Sequence, residues 1–316
     1  MSLYSLGLQS CERSLDPIIV AYSPFETTGL VWIAKDRHFF ESNMIRIIPR
    51  KYDTGADALN AVIDGEADIV VGTTEFPIVA KAFQKTNIDI IGSIAKSEII
   101  YIIGRKDRGI EKPSDLKGKF VGTTFGTISE FYLGRFLELN GMVMADIKPV
   151  NLKTPAEWVE AVVNGDIDAV ATAQPYASSA QELLGSNAVF WSAQGGQLLY
   201  SNAIATDEWI MDNTELVNRF LKSLILAEEY FIHNSSEAEA LIQKQLQLNE
   251  NYMDMVSIQN QFELSLEQSL ILAMEDEARW MIANKLTSEK QIPNFLDYIY
   301  EDELKAIKPE TVDIIR

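Results

Sequence analysis

Four short segments of this chain have the residue types to hold a small anion without any cationic side chain. They are Ser23–Thr28, Gly72–Phe76, Thr123–Thr127 and Ala173–Tyr176. Each pairs small polar side chains with an aromatic or a proline, and each falls where a strand pattern gives way to a helix. A helix N-terminus offers unpaired N–H groups and a partial positive charge, so an oxyanion can bind there without Lys or Arg. Gly126 would let backbone approach a ligand closely, and Thr127 could both cap a helix and donate its hydroxyl. The same positions recur in two halves of the chain, which gives the four segments more weight together than singly.

Enzymatic chemistry finds little to use. His38 and His233 are the only histidines and Cys11 the only cysteine. A Ser–His–Asp or Cys–His set would have to recruit one of these histidines, and neither falls near the four segments. No HxxH or CxxC spacing marks a zinc site, and no GxGxxG or Walker A sequence occurs. The expectation is a protein that is not an enzyme and carries no cofactor or metal.

The elements that must position the four segments announce themselves as a repeat. Residues 54–70 read TGADALNAVIDGEADIV and residues 154–170 read TPAEWVEAVVNGDIDAV, with Thr54/Thr154, Ala56/Ala156, Ala61/Ala161, Val62/Val162, Gly65/Gly165, Asp68/Asp168 and Val70/Val170 identical. Two copies are too few for a solenoid and imply two similar α/β lobes with a crevice between them. Ile18–Tyr22, Ile45–Arg50, Ala67–Gly72, Ile88–Ile94 and Ile99–Gly104 read as strands; Leu30–Phe40 and Ala56–Asp64 read as helices, the latter ending at Gly65 in a left-handed position. The scheme resumes with Phe120–Thr123 as strand, Ser129–Leu139 as helix, Pro155–Asn164 as helix and Ile167–Ala171 as strand. From Thr206 onward the pattern is almost all helical, with strong helices over Glu215–His233 and Leu264–Asn284. Alternating βα units predict a mostly parallel sheet in each lobe, and ligands of such sheets bind outside the carboxyl ends of the strands.

A chain of 316 residues is too long for one ordinary core and suits two lobes. With 46 acidic against 27 basic side chains the net charge is −19, which argues against nucleic acid or an anionic membrane surface as partner. No apolar run spans a membrane; the nearest, Phe220–Ile232, is broken by Lys222, Glu228 and Glu229. Leu8-Gln9-Ser10-Cys11 is similar to a lipobox, which would make Cys11 a lipid anchor on an exported protein, against the reading of a leftover leader residue. A single cysteine forms no disulfide within the chain and leaves the redox compartment open.

Several stretches together resemble the solute-binding proteins of nitrate/sulfonate/taurine-type ABC importers: SPFETTGLVWIAKDRHFFE, GEADIVVGTTEFPIVAKAF, KPSDLKGKFVGTTFGTISEFYLGRFLELNG, NGDIDAVATAQPY and the ending IPNFLDYIYEDELKAIKPETVDII. The resemblance covers about residues 17–316. It implies the α/β, two-lobed type II periplasmic-binding-protein fold with a helical C-terminal region: residues 17–102 as the first part of lobe one, 103–200 as lobe two, and 201–316 returning to lobe one. Crossovers fall near Ile99–Gly104 and Leu199–Ile204. The implied ligand contacts are Ser23, Phe25, Glu26, Thr27, Thr73, Thr74, Glu75, Thr124, Gly126, Thr127, Gln174 and Tyr176. The implied partners are a small-molecule ligand and an ABC permease, with no nucleic acid. The implied state is a monomer on the periplasmic or extracellular face, touching a membrane only through the candidate anchor at Cys11.

Two departures bear on the ligand. Many relatives read Trp-Asp/Glu-Pro-Tyr in the last turn, whereas this chain reads Ala173-Gln174-Pro175-Tyr176, which implies a different or bulkier ligand. The absence of Lys, Arg and His from the four turns weighs against nitrate. Glu26, Glu75, Glu98 and Glu130 would repel a simple sulfonate unless the ligand also carries an ammonium, as taurine does, or unless they are first-turn residues favoured by helix dipoles. Phe25, Phe76, Phe125 and Tyr176 could instead sandwich a ring such as a thiamine-precursor pyrimidine. A sensor input domain of the same fold is the reading from another functional class.

Overall fold

The strands fall into two mixed sheets in a computed structural model that describes residues 14–248 and 259–316. Cys11, with the lipobox reading, lies outside the described residues. The strands are β1 (Asp16–Tyr22), β2 (Ile45–Lys51), β3 (Ile69–Thr73), β4 (Ile88–Ser97), β5 (Ile100–Arg105), β6 (Phe120–Thr123), β7 (Lys148–Asn151), β8 (Ala169–Ala173), β9 (Ala188–Ser192), β10 (Leu199–Thr206) and β11 (Asn260–Gln261). The helices are α1 (Gly29–Asp36), α2 (Phe39–Ser42), α3 (Gly55–Ile63), α4 (Glu75–Phe83), α5 (Ile128–Leu139), α6 (Pro155–Asn164), α7 (Tyr176–Leu184), α8 (Asp207–Asp212), α9 (Thr214–His233), α10 (Ser235–Leu246), α11 (Gln268–Ala283) and α12 (Asp302–Ile307). One sheet has the order β11-β4-β10-β3-β1-β2 and the other β7-β6-β8-β5-β9.

The sheets are less parallel than expected. Strands joined through helices pair in parallel, β1 with β2 and β3, and β6 with β7 and β8. The strands that carry the chain between sheets do not: β10 runs antiparallel to β3 and β4, and β5 antiparallel to β8 and β9. A parallel neighbour requires a return crossover, and a strand arriving from the other sheet has none to make. The helix expected over Leu30–Phe40 is two helices, because His38 takes a left-handed φ of 58° between them. Strand β7 carries no clear sequence pattern, whereas β9 is a short apolar run, Ala188-Val189-Phe190-Trp191, outside the expected strands. Both are edge strands, and the exposed Lys148-Pro149-Val150-Asn151 needs neither an apolar face nor a full set of ladder donors.

The two passages between sheets are tied by one amide. Gln194, 4% exposed, accepts the N–H groups of Ile99 and Ile100 at 2.7 and 2.8 Å through Oε1. Its Nε2 donates to the carbonyls of Ser97 at 3.0 Å and Gln197 at 2.7 Å. A saturated side-chain amide thus fixes the geometry where the chain leaves one sheet and returns to it. The C-terminal helices cover both units. Phe220 of α9 stacks on Phe40 at 5.5 Å, and Trp280 of α11 meets Phe76 of α4 at 5.9 Å and Phe131 of α5 at 5.6 Å.

The identities of the repeat are structural devices. Thr54 and Thr154 are true N-caps, accepting the N–H groups of Asp57 and Glu157. Gly65 and Gly165 take φ values of 73° and 83° just past α3 and α6. Asp68 and Asp168 clamp the neighbouring strand at two points. The Ile19 N–H donates to Asp68 Oδ2 at 2.7 Å while the Asp68 N–H donates to Ile19 O at 2.9 Å; Phe120 and Asp168 repeat both bonds at 2.9 Å. These clamps fix where β3 and β8 begin and hold their register against β1 and β6. Because hydrogen bonds to a charged acceptor are worth about 1.5–3 kcal/mol, Asp68→Ala should lower urea-denaturation stability by that amount. A loss below about 0.5 kcal/mol, the range of ordinary surface changes, would contradict the clamp.

Candidate functional site

The turns that end β1, β3, β6 and β8 meet around a cleft between the two sheets, joined there by the two inter-sheet passages. Its walls combine hydroxyl groups from Ser23, Thr27, Thr54, Thr74, Thr127 and Ser129 with the apolar surfaces of Phe25, Pro77, Ile99, Ile128, Trp158 and Leu199. The cavity volume is about 60 Å³. Among the described residues no Lys, Arg or His lines it.

Helix starts dominate this lining. Gly55 and Ala56 open α3, Thr74 precedes α4, and Thr127, Ile128 and Ser129 open α5. The side chain of Thr54 caps α3, but neither Thr74 nor Thr127 caps its own helix. The Thr127 hydroxyl donates instead to the carbonyl of Thr124 at 2.8 Å. First-turn N–H groups need an acceptor from elsewhere when no cap supplies one. Pro77, the third residue of α4, has no N–H to satisfy and turns its ring to the cleft. Ser23 is fully buried, and its Oγ has no hydrogen-bond partner among the described residues. The backbone beneath it is confined: Gly72 has φ 83°, and a Cβ there would lie 2.5 Å from Thr28 Cγ2 and 3.6 Å from Ser23 Oγ.

Of the twelve residues drawn from the sequence, Ser23, Phe25, Thr27, Thr74 and Thr127 line the cavity. The others sit around it with partners of their own. Thr73 donates its hydroxyl to Gly55 O at 2.9 Å, and Gln174 accepts the Ser178 N–H at 3.1 Å. The Thr124 hydroxyl donates to Leu152 O at 2.7 Å and accepts the indole N–H of Trp158 at 2.8 Å. Gly126 is exposed and faces a separate outer groove with Phe125, Phe83 and Met281, its N–H donating to Glu130 at 2.7 Å. Tyr176 stands between Phe25, at 6.1 Å, and Trp158, at 5.4 Å, both edge-on. Glu26 is buried and close enough to Tyr176 to help raise its hydroxyl pKa, after the larger effect of burial. Trp158, Thr54 and Ile99 line the cleft without having been singled out from sequence. In the sequence Thr54 appears only as an identity of the repeat and Trp158 only as a residue of its second copy; in the structure Thr54 caps α3 and Trp158 lies in the first turn of α6.

Glu75 lies behind the cleft wall. It is fully buried, accepts the Tyr200 N–H at 3.0 Å through Oε1, and leaves Oε2 without a partner among the described residues. Burial pushes its carboxyl up to about 8. Buried Glu277 on α11 is also raised well above the carboxylate range, by burial first and by Glu75 second. Glu130 is raised by burial as well. At neutral pH the expected repulsion of an anion by Glu75 is therefore largely removed, because the group holds its proton.

The NMT1/THI5-like family profile matches residues 26–238; the chain belongs to that family. It is 26% identical over 209 residues to the taurine-binding periplasmic protein of Escherichia coli (strain K12), a match spanning 63% of this chain and 62% of that protein. Among solved structures, the alkanesulfonate-binding protein SsuA from Xanthomonas axonopodis pv. citri bound to MOPS superposes with a TM-score of 0.79 at 18% identity, over 91% of this chain and 99% of that one. The desulfurization enzyme DSZB does so with a TM-score of 0.69 at 15% identity, over 92% and 98%. The fold is that of the type II periplasmic binding proteins, and it also hosts an enzyme.

A buried acid with a raised pKa makes stability fall as pH rises. The folded state keeps the Glu75 proton up to about 8, whereas the unfolded chain releases it near the ordinary 4.5. The stabilisation is complete below pH 4.5 and declines progressively up to about pH 8. Glu75→Gln, which preserves the acceptor for Tyr200, should make the melting-temperature profile less steep across that window, with half-buried Asp89 and buried Glu277 supplying the slope that remains. Parallel profiles for variant and wild type would show that Glu75 is not the titrating group.

Proposed function

We propose that this NMT1/THI5-like protein captures a small sulfonate, taurine-like ligands foremost, in the cleft between its sheets and delivers it to the permease of an ABC importer on the periplasmic or extracellular face. The observation that carries the reading is the chemistry of the wall: among the described residues, a buried Ser23 hydroxyl without a partner and two helix starts not capped by their N-cap threonines, with no cationic side chain alongside. Neutral donors of this kind suit a group that stays ionised at any working pH and carries several weak acceptor oxygens. The similarity to a taurine-binding protein and to an alkanesulfonate-binding structure supports the same ligand class.

In this reading residues 17–102 and 201–316 form one jaw and 103–200 the other. The ligand stabilises the closed form by touching both, and Phe25 meets Tyr176 across the gap.

Thermal-shift titration with taurine, methanesulfonate, nitrate and an aminopyrimidine tests this. A sulfonate present at about one hundred times its Kd should add about 2.7 kcal/mol of stability and raise Tm. Thr127→Leu, which fills the start of α5 with an apolar side chain, should abolish that rise. Stabilisation by the aminopyrimidine alone, or an undiminished sulfonate response in Thr127→Leu, would defeat the assignment.

A further inference from the structure

We infer that Trp158 sets the size limit of the cleft and that Thr124 holds it in place, so that the site admits sulfonates with short aliphatic tails and rejects those carrying a ring. This rests on the sulfonate reading above and narrows it.

Trp158 is the largest side chain on the cavity wall, and it is 5% exposed. Its indole is pinned at one end and wedged at the other. The N–H donates to Thr124 Oγ1 at 2.8 Å and lies 3.4 Å from Leu152 O. The ring meets the edge of Tyr176 at 5.4 Å, and Tyr176 is backed by Phe25 at 6.1 Å. Swinging the indole aside would break its hydrogen bond in a buried site and dislodge two aromatic neighbours, both unfavourable.

Thr124 is occupied by this task. Its hydroxyl proton goes to Leu152 O at 2.7 Å while its oxygen receives the indole N–H. That leaves it a positioning residue for Trp158 rather than a donor to the ligand. The consequence is volumetric. Trp158 is the bulkiest group on the wall, so truncating it enlarges the cleft where the indole stands.

Calorimetric titration of the full chain with methanesulfonate and benzenesulfonate decides the matter, using wild type, Trp158→Ala, Trp158→Leu, Thr124→Val and Thr124→Ser. Wild type should bind methanesulfonate and reject benzenesulfonate. Trp158→Ala should gain at least about tenfold in benzenesulfonate affinity, the scale of a changed apolar fit. Trp158→Leu keeps an apolar anchor and should move the same way if the alanine variant fails to fold. Thr124→Val should relax the selection partly, and Thr124→Ser should restore it. An unchanged ratio of the two affinities in both Trp158 variants would overturn the inference. Should wild type bind neither sulfonate, the sulfonate reading fails, and benzene and indole serve as neutral probes of the limit itself. Binding of those rings by Trp158→Ala alone would uphold it, and equal behaviour of variant and wild type would overturn it.

Discussion

Two helices of this protein begin at the cleft without a hydroxyl cap from the threonine that precedes them. Neither Thr74 nor Thr127 caps the helix it precedes, although both have the hydroxyl to do so. Thr54, Thr154 and Thr206 do accept a first-turn N–H, whereas Thr28 before α1 gives its hydroxyl to Phe25 O. The contrast matters because a buried, unsatisfied donor costs as much as a lost hydrogen bond. A site built this way is stabilised by whatever supplies acceptor oxygens to both helix starts at once. The clamps at Asp68 and Asp168 and the Gln194 tie fix the strands and passages from which the cleft is built.

The acidity of the molecule does not oppose an anion in that cleft. The net charge of −19 lies mostly on solvated surface, where salt screens it over about 10 Å. The carboxyls nearest the helix starts are treated differently. Burial raises Glu75 and Glu130, and Glu130 turns its oxygen to the N–H of Gly126. Glu98 receives the Ser192 hydroxyl at 2.7 Å. Low-dielectric surroundings that would punish an ionised carboxylate thus also strengthen each N–H dipole offered to a ligand.

Much of the architecture was legible because it is local. The repeat at 54–70 and 154–170 declared two α/β units, and its identities proved to be caps, left-handed glycines and strand clamps. The antiparallel insertion of β5 and β10 was not legible, since strand direction depends on which sheet a segment joins and no local pattern encodes that. The cleft was legible in part. Ser23, Phe25, Thr27, Thr74 and Thr127 follow strands whose ends face the gap, as topology requires. Trp158 was missed because it sits one turn into a helix with ordinary apolar spacing. Its reach to the cleft depends on Thr124, thirty-four residues earlier. Glu75 carried the right residue type at a helix start, but its side chain turns inward to Tyr200, a contact 125 residues away in sequence.

The most direct test of the account is a crystal structure of the protein grown with methanesulfonate. The account predicts the sulfonate inside the cleft, with its oxygens roughly 2.7–3.2 Å from the Ser23 hydroxyl and from first-turn N–H groups of α5. A sulfonate seated instead in the outer groove beside Phe125 and Met281, with the cleft holding only water, would contradict it.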